Sequence, residues 1–256
     1  NIKTIAINGV NYLKENNTYD YIYIDPSRRN DVKGKVFLLK DCQPYITPKL
    51  DFFFSKASKI LIKTSPLLDI SQTVKDLKNV KEIHVVAVNN EVKELLFLLE
   101  KDYNKEIVIN TVNILKSNTQ KFNFTFKDIG ISEYSEPLEY LYEPNSAVLK
   151  SGGFHQISQK LNLLKIHQHS HLYTSEIIVD FPGRIFKIEK VIPYQKKNIK
   201  KILGIQKSNI TIRNFPKSVS QIRKETKIKD GGNIYLFFTK SKENKLIVIY
   251  CIKNHN

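Results

Sequence analysis

Four short runs dominate the first 110 residues: YIYID (21–25), KILIKT (59–64), EIHVVAV (82–88) and EIVINTVNI (106–114). Each is rich in β-branched or aromatic residues and short enough to be a strand that a sheet buries. Residues 3–7 add a further strand of this kind, and segments with helical character lie between the runs at 48–57 and 69–77. Residues 91–99 carry apolar side chains at 92, 95, 96 and 99, the i, i+3, i+4, i+7 stripe of an amphipathic helix. Strands that alternate with helices and are apolar on both faces predict an open, doubly wound α/β sheet, with 106–114 as an edge strand.

The texture changes after residue 114. KFNFTF (121–126) alternates as a half-exposed strand does, and Pro144-Asn145 opens a helix that runs to Leu161 with an interruption at Gly152-Gly153. FPGR (181–184) is a turn and a boundary. Beyond it the expected order is strand 185–192, helix 195–203, strand 210–213, helix 219–226, and a hairpin of 234–239 with 246–252. That is a small α+β sandwich. The chain therefore divides into three expected parts: 1–114 with the partial Rossmann-like sheet, 115–183 as a connecting α+β segment, and 184–256 as a basic α+β domain.

Charge separates these parts sharply. Residues 1–110 hold 17 Lys and Arg against 14 Asp and Glu, residues 111–180 hold 6 against 7, and residues 181–256 hold 18 against 4. A coding bias toward lysine would have raised all three segments. A domain with this excess of one sign attracts polyanions. KKNIKK (196–201) is its sharpest feature, because on a helix Lys196, Lys197, Lys200 and Lys201 share one face. Arg213, Arg223 and Lys224 extend the basic set. Phe215, Tyr235, Phe237 and Phe238 are the aromatic residues near it, and the alternation in YLFF assigns at least Phe237 to the core.

Other features exclude whole classes. No run approaches the ~20 apolar residues of a membrane span, and the start NIKTIAINGV has no signal-peptide character. Cys42 and Cys251 lie far apart without C-x-x-C spacing, which argues against a disulfide framework or structural zinc and for a reducing, cytoplasmic setting. HQHSH (167–171) puts three histidines at alternate positions, but no Asp, Glu or Cys with ligand spacing accompanies them, so no metal is expected. The chain contains no methionine, so Asn1 is read as an internal position of a longer protein. Its oligomeric state is open.

The first run ends in DPSRR, an acid and a proline followed by Arg28 and Arg29. Ligands in open parallel sheets bind at the carboxyl ends of strands, and Asp25 stands at such an end. A strand followed by Asp-Pro resembles the fourth motif of class I S-adenosylmethionine-dependent methyltransferases. YDYIYIDPSRRN…GKVFLLKDCQP, then ILIKTSP and EIHVVAVNNEVKELL, look like the second half of such a domain. The motifs YLYEPNSAVLKSGGF, HLYTS, DFPGR, RNFP and KDGGNIYLFF resemble, in that order, the C-terminal part of a bacterial branch that ends in a THUMP-like domain.

The resemblance implies a methyltransferase sheet followed by ferredoxin-like and THUMP-like domains. It places Asp25 and Pro26 beside the transferred methyl, and it makes Arg28 and Arg29 candidates to fix Asp25 or to clamp a substrate phosphate. RNA, tRNA or rRNA, becomes the expected substrate, docked by the basic module. The family's glycine-rich cofactor loop is missing, since residues 1–110 hold only Gly9 and Gly34, so most of the S-adenosylmethionine pocket is expected upstream of Asn1. INGVN lacks the acid usual in the third motif, and Cys42 in KDCQP does not follow the next strand as a nucleophilic cysteine would. The alternative is a non-catalytic RNA-binding protein that keeps the methyltransferase fold as a scaffold.

Overall fold

The computed structural model describes residues 2–15, 18–28, 38–195, 199 and 203–253. Cα packing divides the chain into two units: residues 1–116 with 123–127, and residues 117–122 with 128–256. Each is described by itself.

The first unit is built on a six-stranded mixed sheet. Its strands are β1 (Tyr19–Ile24), β4 (Ala57–Thr64), β5 (Val80–Val88), β6 (Glu91–Glu100), β7 (Val108–Ile114) and β8 (Thr119–Thr125), in the order β1-β4-β6-β5-β7-β8, with residues 119–122 of β8 assigned to the second unit. β1 runs parallel to β4 and β5 parallel to β7, whereas β6 is antiparallel to both of its neighbours. Helices α1 (Gly9–Glu15), α2 (Leu50–Lys56) and α3 (Ile70–Asp76) accompany the sheet. Leu50, Phe53 and Phe54 make the buried side of α2. Asp69 caps α3 by accepting from the Gln72 backbone N–H at 2.6 Å. Two very short strands, β2 (Ser27–Arg28) and β3 (Cys42–Gln43), pair antiparallel with Ser27 opposite Gln43.

Three expectations change here. Residues 91–99 form a strand, not a helix. Asn89 and Asn90 both adopt positive φ, 49° and 63°, the conformation of a two-residue hairpin turn, and β6 folds straight back on β5. Leu95, Phe97 and Leu99 are fully buried while their alternate neighbours are half-buried, so β6 is a central strand whose continuous apolar run mimicked a helical stripe. Residues 106–114 do not form an edge, because β7 lies between β5 and β8. Residues 3–7 form no strand, and Ile5 and Ile7 are exposed.

The second unit carries a seven-stranded sheet. It is formed by β9 (Tyr140–Pro144), β10 (Leu164–Lys165), β11 (Tyr173–Ser175), β12 (Gly183–Pro193), β13 (Asn209–Ile212), β14 (Ile234–Lys240) and β15 (Leu246–Lys253). Their order is β10-β11-β9-β12-β15-β14-β13. The helix expected from Pro144 appears as α4 (Ser146–Ser151) and α5 (Phe154–Lys160), broken at Gly152, where φ is 77°. The 219–226 helix, α6 (Val219–Thr226), begins with a capping box between Ser218 and Gln221. Leu141, Phe186, Phe237, Ile249 and Cys251 centre one apolar cluster, and Ile192, Ile222, Leu236, Phe238 and Val248 centre another. Leu236, Phe237 and Phe238 are all fully buried, so β14 is covered on both faces and neither Phe237 nor Phe238 is open to a nucleobase.

The quoted motifs interlock inside this unit. Tyr142 of YLYEP shares a hydrogen bond with Ser175 of HLYTS at 2.8 Å, and the Tyr173 hydroxyl donates to the Phe154 carbonyl at 2.7 Å. The glycine of DFPGR is required sterically: a Cβ on Gly183 would overlap the Glu143 carbonyl oxygen and the Phe181 ring. Among the described residues no helix is long and apolar enough to cross a membrane.

Candidate functional site

The parallel register of β1 and β4 builds the first candidate site. Ile24 lies opposite Ile62, so the next residue on each strand, Asp25 and Lys63, emerges side by side at the carboxyl ends. Their side chains form an ion pair of 2.6 Å between Lys63 Nζ and Asp25 Oδ2, with 32% and 49% of each side chain still exposed. The hydrogen bond that Lys63 donates to Asp25 holds its ammonium above its ordinary pKa, against a smaller opposing effect of desolvation. Pro26 is buried behind the acid, and Ser27 starts the short β2–β3 pairing that latches this turn to Gln43.

Asp25 lines two cavities. One, of about 180 Å³, is bounded by Pro26, Cys42, Lys63, Thr64, Ser65 and Glu94, among others. The other, of about 610 Å³, has an aromatic wall of Tyr12, Tyr19, Tyr21, Tyr23 and Phe53 beside Asn8 and Gly9. Cys42 is therefore a buried neighbour of Asp25 although it follows no core strand in sequence. The side chain of Arg28 and the whole of Arg29 lie outside the described residues.

Lys63 is the residue that sequence reasoning missed. Its signal was present, since KILIKT and YIYID are consecutive strands that end in opposite charges, and a parallel pairing in register brings such ends together.

In the second unit the predicted basic residues separate. Lys196, Lys197, Lys200 and Lys201 lie outside the described residues. Arg223 is a structural tie: it donates to the Ile228 and Ser208 carbonyls, each at 3.1 Å, and pairs with Asp230. Arg213 donates to Glu143 Oε1 at 2.7 Å. Lys217, another basic residue of this stretch, is held by Glu225 at 2.7 Å and by the Tyr194 hydroxyl at 2.9 Å. Lys224, Lys207, Lys227 and Lys229 are exposed.

The three histidines of HQHSH do not share a face. His167 is buried, its Nδ1 accepting from the Asn214 amide at 3.0 Å while its Nε2 meets Asn244 Oδ1 at 2.9 Å; His169 is exposed. His171 stacks on Phe154 at 3.7 Å, and burial lowers its pKa to about 4. No group of three or more His, Cys, Asp or Glu able to hold a metal occurs among the described residues.

Comparison with known proteins agrees with these two regions. Residues 140–182 match a ferredoxin-like domain family and residues 183–253 match a THUMP-like domain family. No curated protein matches the chain. A solved structure from Porphyromonas gingivalis W83, named a "putative methyltransferase", superposes with a TM-score of 0.85 at 35% sequence identity over 92% of this chain. The chain spans 60% of the length of that protein. The chain shares its mixed α/β fold with that structure over most of its length, and residues 140–253 carry a ferredoxin-like domain followed by a THUMP-like domain.

Proposed function

We propose that the chain is the carboxyl-terminal part of an S-adenosylmethionine-dependent methyltransferase that modifies RNA in the cytoplasm. The observation that carries the reading is the position of Asp25, at the carboxyl end of a parallel strand and on the wall of both cavities. The three-part organisation into 1–114, 115–183 and 184–256 belongs to the same proposal.

The residues present fit the acceptor side of such a site better than the cofactor side. The larger cavity offers aromatic walls for a planar group, yet Gly9 and Gly34 are the only glycines in residues 1–110, too few for a cradle in which backbone approaches the cofactor closely. S-adenosylmethionine, when bound, supplies a sulfonium methyl for in-line displacement. Asp25 then accepts a hydrogen bond from the acceptor nucleotide and aligns its attacking atom, with Pro26 holding the turn and Lys63 holding the carboxylate. Arg28 and Arg29 follow as substrate-phosphate contacts. Lys196, Lys197, Lys200, Lys201, Arg213, Arg223 and Lys224 belong to the RNA-docking surface.

A second reading is favoured by one observation: Lys63 already occupies the Asp25 carboxylate, as in a structural turn on a non-catalytic, RNA-binding scaffold. Transfer of labelled methyl from S-adenosylmethionine to RNA by the full-length protein separates the two. We expect label in RNA, falling by about 10²–10³-fold in Asp25→Ala while RNA affinity stays unchanged. RNA binding without any transfer selects the scaffold.

A further inference from the structure

Three short motifs meet in the second unit: YLYEP supplies Glu143, DFPGR supplies Arg184 and RNFP supplies Arg213. Only 4% of the Glu143 side chain is exposed. Arg184 donates to Glu143 Oε2 through Nε at 2.7 Å and also through Nη2, while Arg213 Nη2 donates to Oε1 at 2.7 Å. One guanidinium would neutralise this carboxylate, so the second leaves a surplus positive charge.

Both arginine side chains remain partly open to solvent, 40% of Arg184 and 34% of Arg213. Arg184 lies over the rings of Phe186 and Tyr235, at 5.3 and 5.9 Å, which restrains its plane. Arg213 Nε is buried and has no acceptor among the described residues. Arg213 Nη1 donates to the Ile212 carbonyl at 3.4 Å, which further restrains its plane. The pairing of β9 with β12 that places Glu143 opposite Arg184 depends on Gly183, where no larger residue fits.

We propose that Glu143 holds Arg184 and Arg213 as a paired guanidinium fork that receives one phosphate of an RNA backbone. This rests on the reading of the second unit as an RNA-docking module and gives that docking a place. Guanidinium matches phosphate oxygens two at a time, and a fork oriented beforehand loses less rotamer entropy on binding than flexible lysines do. The excess of 18 basic over 4 acidic residues in 181–256 favours a polyanion over an acidic side chain as the occupant.

The test measures binding of the 256-residue chain to unfractionated tRNA across a salt series, alongside its thermal melt. The double variant Arg184→Lys with Arg213→Lys keeps two cations for Glu143 but removes the planar fork. It should melt cooperatively and bind at least about tenfold more weakly, with the salt slope little changed because the charge is conserved. Glu143→Gln removes the anion that orients both guanidinium groups and should bind more weakly than the parent. Unchanged binding by the double variant overturns the fork and leaves the RNA reading intact; absence of tRNA binding by the parent chain overturns that reading and the fork with it. If the double variant loses its cooperative melt, Glu143→Gln decides alone, and binding as tight as the parent's overturns the proposal.

Discussion

Asp25 and Glu143 are both carboxylates paired with a cation on the neighbouring strand, Glu143 also with Arg213 just past β13, and water separates their roles. The Asp25 side chain is 49% exposed and has one flexible lysine partner; that of Glu143 is 4% exposed and has two guanidinium groups. A pair open to solvent holds its geometry weakly, because Coulomb attraction is screened and two long side chains must be ordered. Its partners are easily exchanged, which suits a group that must release Lys63 and engage a substrate. A buried carboxylate has no such freedom. Losing its partners strands a charge away from water, so its arrangement persists whatever binds at its outer edge.

The comparison can be broken in order of expected effect. Replacing Arg184 and Arg213 together by alanine leaves Glu143 buried and unpaired, and should destabilise the second unit by about 3–5 kcal/mol in denaturant titration. A loss below 1 kcal/mol would mean that water reaches the carboxylate and that the contrast with Asp25 is false.

Lys165 gives a third case. It is fully buried, its described hydrogen bond is to the Gln168 carbonyl at 3.1 Å, and burial pulls its pKa down to about 8. The folded state then surrenders this proton before the unfolded state does. The unfolded chain binds more protons between about pH 8 and the ordinary lysine value, so stability rises with pH across that window. Lys165→Met should remove the rise and stabilise the protein at neutral pH by about 1–3 kcal/mol, visible as a flat melting temperature over the same pH range. A steeper profile in the variant would contradict a buried cation. At the small end, Asp25→Asn should shift unfolding free energy by less than about 1 kcal/mol. A larger loss would make the Lys63 pair a structural element.

Much of this could be read from residue types, and the failures share a cause. Strands at 59–64 and 82–88 and the capped helices at 69–77 and 219–226 announce themselves locally, through β-branched runs and through Asp69 and Ser218. The segment EVKELLFLL fits a helical stripe and a doubly covered strand equally well. The deciding residues stood outside it, in Asn89-Asn90, a pair suited to the positive φ of a hairpin turn. Asp25 was visible because a local motif marks it. Its partner Lys63 depends on strand register, and the Glu143 cluster joins residues 70 positions apart. Pairings of that kind are settled by tertiary packing, which local pattern does not carry.

The register that sets Asp25 beside Lys63 also dictates where this protein tolerates change in length. Side chains on a strand alternate between faces, so one residue inserted within 19–24 or 57–64 would send its charged end to the opposite side of the sheet. Insertions between β1 and β4 that spare β2, β3 and α2 leave both ends where they are. Variation among natural or engineered versions can therefore accumulate in the stretch joining those strands, while the strands themselves accept substitution but no change of count.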